Sequence, residues 1–198
     1  MGRHRCRATS SFAALGPFEL FGGYFLLKLV LSVEAPEGGD PQNPVPISAW
    51  SAFEPVLEEE LLDLFPEMAG YGNVEVSISI LSPEEIRAVN QDYRECDEET
   101  DVLSFPMWEE DGRFAPDPML AGSVLPLGDV MICPGEARAR NDAASEEEAL
   151  CLVLAHSFLH LLAWDHDTEE RQAAMWDRQA RLRDRLLAAL ASVRREAR

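Results

Sequence analysis

Histidine is scarce in this chain: four residues in 198. Cysteine is equally rare. Cys6, Cys96, Cys133 and Cys151 are scattered, with no Cys-x-x-Cys pair. That excludes a cysteine-based structural zinc site and favours free thiols in a reducing cytosol. No run of 18 apolar residues occurs, so no membrane span is expected. Basic residues are few, 17 against 36 acidic ones, for a net charge of −19. Such a chain lacks the basic footprint of a non-specific nucleic-acid binder. It does not lack room for a local cationic groove, because a bound metal supplies positive charge itself. There is also no internal repeat, no phosphate-cradling glycine loop, no nucleophile elbow and no dinucleotide fingerprint.

What is present is concentrated. Three of the four histidines fall in Ala155–His166, AHSFLHLLAWDH. Residues 156 and 160 lie about 40° apart on one helix face, one turn apart along the axis. His166 follows the apolar run, and a turn at Ala163–Asp165 can bring it back from a loop. Three neutral imidazoles with one open position form the catalytic type of zinc site. Ordinary helix and cap histidines are a poor account of spacing i, i+4, i+10 in a histidine-poor chain. The metalloprotease pattern requires Glu directly after the first His. Ser157 stands there instead, so a peptide-cleaving mechanism lacks its base.

This stretch resembles the YbeY-type endoribonucleases, the bacterial rRNA maturation factors, whose motif reads H-G-x-L-H-L-x-G-[YHW]-D-H. His156, Leu159, His160, Leu161, Asp165 and His166 match it. Ser157 and Ala163 replace its two glycines. Inside a helix the serine should if anything help. If the turn requires positive φ, Ala163 costs on the order of 1 kcal/mol. The loop is expected to adapt, a bound metal outweighing that cost. A second block agrees over Asn90-x-x-Tyr93-Arg94 and Thr100–Pro106. A third agrees over Leu127–Ile132, and Met175 and Gln179 fit an M-x-x-x-Q pattern.

The resemblance implies a zinc-dependent, single-strand-specific endoribonuclease of the cytoplasm, acting in rRNA processing (16S rRNA 3′ end maturation) and ribosome biogenesis. It implies one Zn²⁺ on His156, His160 and His166. It also implies Arg94 as a phosphate or transition-state contact, where a guanidinium fork suits a phosphodiester. Its partners would be single-stranded RNA, rRNA and ribosomal particles. Asp165, Asn90 and Asp101 are candidates for orienting a ligand or walling the site. Thr100–Pro106 reads as a buried strand beside the site. The alternatives are a metallohydrolase for another substrate such as a peptide, or a non-catalytic ribosome assembly factor braced by its metal.

Periodicity gives the rest. Residues 1–25 read as an extension, disordered or non-native. Its basic start resembles a targeting segment, but Glu19, Gly22, Gly23 and Lys28 interrupt the apolar run and no clean cleavage site follows. Residues 26–198 read as one domain. Leu26–Val33 is a strand, followed by a Pro/Gly-rich link. Ile47–Phe65 has helical spacing with Pro55 inside, which predicts a kink or a late start. Its Glu58–Glu60 run reads as a solvated face. Val74–Leu81 alternates as a half-buried strand. Ser82–Glu85 is a capping box opening a helix. Trp108–Pro126 reads as a mobile, exposed loop, Leu127–Ile132 as a strand, and Pro134–Asn141 as a short helix. Ser145 caps a buried helix over Ala149–Leu162. Thr168–Val193 is a long final helix whose arginines face solvent and the acidic surface. The order predicts an α+β fold: a small mixed sheet covered by helices, with the three-histidine site on the buried helix and the loop after it.

Overall fold

The computed structural model describes residues 27–35 and 43–196. The extension over residues 1–25 and most of the Pro/Gly-rich link lie outside them. The architecture is α+β, as the element order predicts. Strand β1 is Lys28–Glu34, helix α1 Glu54–Leu64, β2 Asn73–Ile80, α2 Pro83–Arg94 and β3 Val102–Pro106. Two short strands follow, β4 (Glu109–Glu110) and β5 (Arg113–Phe114), then β6 (Val124–Ile132). Helices α3 (Pro134–Arg140), α4 (Glu146–Leu161) and α5 (Glu169–Glu196) complete the chain. The main sheet has the order β1-β2-β6-β3. β1, β2 and β6 are parallel, and β3 runs antiparallel to β6 at one edge.

The apolar residues of β2 (Val74, Val76, Ile78, Ile80) all turn inward and are essentially inaccessible. They share one core with α4, ten of whose sixteen residues are buried. That burial gives the histidine helix its rigidity, since every apolar side facing protein resists displacement.

Proline 55 produces the late start. The segment Ile47–Ala52 is 3-10 helix, and α1 begins at Glu54 with the proline in its first turn, where no N–H is required. The glutamates of α1 are not simply solvated. Oε1 of Glu54 accepts the Leu31 N–H and Oε2 of Glu58 accepts the Leu29 N–H, both at 3.1 Å. Four helical residues rise about 6 Å and two strand residues about 6.6 Å, so the two carboxylates match alternate amides of the open β1 edge. The edge is thereby closed to other strands. Glu60 is buried and pairs with Arg178 and Arg185 of α5. Arg183 and Arg194 reach Glu148 and Glu147 of α4. The arginines of α5 thus join helices, within an acidic surface.

The Trp108–Pro126 segment is more ordered than a loop. Asp111 (φ 51°) and Gly112 (φ 71°) form the tip of a hairpin between β4 and β5. An Asp-Gly pair with two left-handed residues is the type I′ hairpin turn. The strands of two residues each are too short to show an alternating pattern. The Trp108 indole N–H donates to the Pro126 carbonyl, tying the two ends of the segment together.

Gly128 of β6 is required by close approach. A Cβ there would lie 2.2 Å from the Phe105 carbonyl oxygen, so β3 can seat on β6 only against a glycine. β3 is an edge strand, and only its Leu103 is fully buried; Val102, Ser104 and Pro106 line the cleft.

Candidate metal centre

The end of α4 builds the site. Leu162 caps the helix and Ala163 follows with φ 59°. The Ala163 N–H donates to His160 O and the Trp164 N–H to Leu159 O, both at 3.0 Å. This pair of bonds is the Schellman arrangement, which ends a helix through one left-handed residue. The turn does require positive φ, and alanine adopts it without the backbone changing class. The reversal directs Asp165 and His166 back over the helix face carrying His156 and His160. Replacing Ala163 by glycine removes a left-handed Cβ worth about 1 kcal/mol. The melting temperature of Ala163→Gly should rise by about 2–4 °C in a thermal scan.

The three imidazoles converge. His156 Nε2 and His160 Nε2 are 3.0 Å apart, and one nitrogen from each of the three rings lies within 4.8 Å of the others. Nitrogens bound at 2.0–2.1 Å to a tetrahedral ion sit about 3.3 Å from one another. The donor set therefore fits a single divalent ion. Burial pushes His160 down to about 4, with the His156 and His166 rings adding to the effect. Burial also lowers His156, against the opposing hydrogen bond that its ring donates to Gln179. Both rings are thus neutral at pH 7, the form that donates a lone pair to a metal.

Gln179 of α5 lies 2.9 Å from His156 through its Oε1 and the ring Nδ1. An amide oxygen only accepts, so Nδ1 carries the proton and Nε2 is left bare toward the other rings. The sequence pattern singles out Gln179 without giving it this task. Its clue is the spacing from Met175, one turn earlier and fully buried. Gln179→Leu should weaken metal affinity roughly 10–100-fold with the fold intact, and Gln179→Glu should retain most of it. Titration against a competing chelator measures both.

The trio opens into a cleft of about 610 Å³. Arg94, at the last position of α2, lines it from across the floor. Its guanidinium is exposed and has no hydrogen-bond or ion-pair partner among the described residues. Arg87, two turns earlier, is bound by Asp97 at 2.7 Å and stands close to Glu99. Asp101 also lines the cleft. Its carboxylate accepts from Thr100 Oγ1 at 3.3 Å and Asn141 Nδ2 at 3.1 Å, and its charge favours the protonated form of His156. Asp165 lies on the same wall, but its Oδ1 accepts the His166 backbone N–H at 2.7 Å rather than an imidazole. It shapes the turn, and Gln179 is the residue that orients a ring. Asn90 stands apart from the cleft. It is buried, and its Nδ2 donates to Glu98 O at 2.8 Å, bracing the loop between Arg94 and Asp101.

Ser157 is wholly buried, and its Oγ has no hydrogen-bond partner among the described residues. The gain over glycine in helix propensity is therefore offset by an unsatisfied hydroxyl.

Fold and centre together define a class: an α+β domain whose buried helix and capping turn present a metal-competent histidine trio on a cleft shared with an arginine that has no partner among the described residues. The family model for Endoribonuclease YbeY matches residues 48–187. An Endoribonuclease YbeY of Caldanaerobacter subterraneus subsp. tengcongensis is 38% identical over 133 residues, covering 65% of this chain and 78% of the relative. One of Geobacillus thermodenitrificans is 41% identical over 128 residues, covering 61% and 81%. The solution structure of TM1509 from Thermotoga maritima aligns with a TM-score of 0.46 at 26% identity, covering 84% of this chain and 93% of that one. The chain belongs to the YbeY endoribonuclease family, a family of RNA-cleaving hydrolases.

Proposed function

We propose that the protein is a zinc-dependent, single-strand-specific endoribonuclease acting in the cytoplasm on rRNA and ribosomal particles, including maturation of the 16S rRNA 3′ end. Residues 26–198 act as one catalytic domain. The observation that carries the reading is the convergence of His156, His160 and His166 in a cleft that Arg94 also lines. Family membership supports RNA as the substrate. Three imidazole ligands favour zinc among the available divalent ions.

When bound, the ion supplies a Lewis acid and lowers the pKa of water at its open position toward about 7. The chain's own groups do the rest. The trio holds the ion, and Gln179 keeps His156 in the tautomer that can ligate. Arg94 takes the non-bridging phosphate oxygens through its planar fork and offsets charge as it builds up at phosphorus. Asp101, Glu109 and Asp165 are the carboxylates bordering the cleft. A peptide-cleaving reading finds no support at Ser157, which is enclosed in the helix packing.

Purified full-length chain incubated with a single-stranded RNA, and with the same RNA annealed to its complement, tests the proposal. Cleavage of the single strand alone, stopped by chelator and restored by zinc, is the expected result. Cutting that survives complete metal removal would overturn it. Product ends then assign the attacking group: cyclic phosphates identify the RNA 2′-hydroxyl, and plain monophosphates identify water.

A further inference from the structure

We propose that Trp176 is the platform on which one unpaired nucleobase of the substrate strand stacks, beside the phosphate held at Arg94 and the histidines. The inference rests on the RNA-cleaving reading above. Three of the chain's four tryptophans are already engaged. Trp50 is buried and donates its indole N–H to Val45 O. Trp108 donates to Pro126 O. Trp164 lies under the Arg178 guanidinium, 5.7 Å from its ring centre. Trp176 is 53% exposed, and among the described residues it makes no hydrogen bond, ring contact or cation–π contact.

Its position is specific. Trp176 lines the histidine cleft. It lies three residues before Gln179 on α5, on the same helix face as the amide that holds His156. An indole left open on a solvated helix is costly surface, and here that surface borders the reaction centre. With a net charge of −19, the chain as a whole repels RNA, so affinity must come from local contacts. Stacking supplies them without sequence preference, because every base has a π-face. It also selects single strands, since a base in a duplex is already stacked on its neighbours. The acid next to Trp176 is neutralised: Asp177 pairs with Arg181 at 2.6 Å. The neighbouring hollow of about 490 Å³, walled by Phe65 and Phe114 with Arg113 and Arg171 at its edge, is less suited. Its two phenyl rings already pack on each other, with 4.7 Å between their centres.

The test uses the full chain and a short single-stranded oligoadenylate, with EDTA present so that binding is read apart from cleavage. Binding should quench tryptophan fluorescence. In Trp176→Phe the quench should shrink, Trp164 being the other indole on this cleft, while affinity is kept, because a phenyl ring still stacks. In Trp176→Ala affinity should fall roughly tenfold. With metal present, KM for RNA cleavage by that variant should rise by a similar factor at unchanged kcat. Its melting temperature should stay close to that of the parent, since the ring is 53% exposed and makes no hydrogen bond or ring contact among the described residues. A Trp176→Ala variant that binds and cuts with parental constants would overturn the assignment, as would a quench undiminished in Trp176→Phe. If the parent cuts RNA and Arg94→Ala is impaired while Trp176→Ala is not, only the stacking role falls. If the parent neither binds nor cuts RNA, the endoribonuclease reading falls with it.

Discussion

His160→Ala should fold, fail to bind the metal, and cut RNA at least about 10³-fold more slowly than the parent. The ring sits in the last turn of α4, with its Nε2 3.0 Å from that of His156. Removing it leaves two imidazoles, one from a helix and one from a loop, too few for a catalytic zinc site. The helix itself is held by Leu154, Phe158 and Leu161, all essentially inaccessible, which the substitution does not touch. Two thermal scans separate lost chemistry from lost fold. Saturating zinc should raise the melting temperature of the parent, because it binds only the native state. The same addition should leave His160→Ala unmoved. A variant that still gains stability from zinc and still cuts would show that the ion sits elsewhere.

Arg94→Ala should lower kcat/KM by on the order of 10²–10³, the usual loss when one preorganised donor to a developing charge is deleted. Stability should not change, because the guanidinium has no partner among the described residues. Arg94→Lys should recover little, since an ammonium cannot offer the two parallel N–H bonds that a phosphate accepts. Initial rates on a single-stranded substrate, with metal content measured on each sample, decide this. Full activity in Arg94→Ala would remove the arginine from the proposed mechanism. Loss of metal in that variant would mean that it acts through the centre rather than on the phosphate.

Much of the fold was legible because the local rules agree with one another. Ser82 caps α2 through the Glu85 N–H, and the Glu85 side chain returns the bond to the Ser82 N–H at 2.8 Å, as the four-residue pattern predicts. The alternation of Val74–Ile80 places one whole face in the core. Ala163 was legible as a question of backbone sign, and its φ of 59° answers it. What could not be read depends on contacts distant in sequence. Glu60 looks like one more surface acid until α5 brings Arg178 and Arg185 beside it, 118 and 125 residues later. Asn90 belongs to a matching motif, yet its amide is spent on the Glu98 carbonyl, a bond set by how the following loop folds back. Gln179 orients His156 only because α5 packs along α4, and nothing local to residue 179 states that pairing. The hairpin over residues 109–114 carried its clue in Asp111-Gly112, but strands of two residues leave no periodicity to read.

The account depends on one cation shared by three rings. Elemental analysis of the purified full chain, set beside a variant with His156, His160 and His166 all changed to alanine, measures that directly. One divalent ion per parent chain and none in the variant is the predicted result. Equal metal content in the two proteins would contradict it.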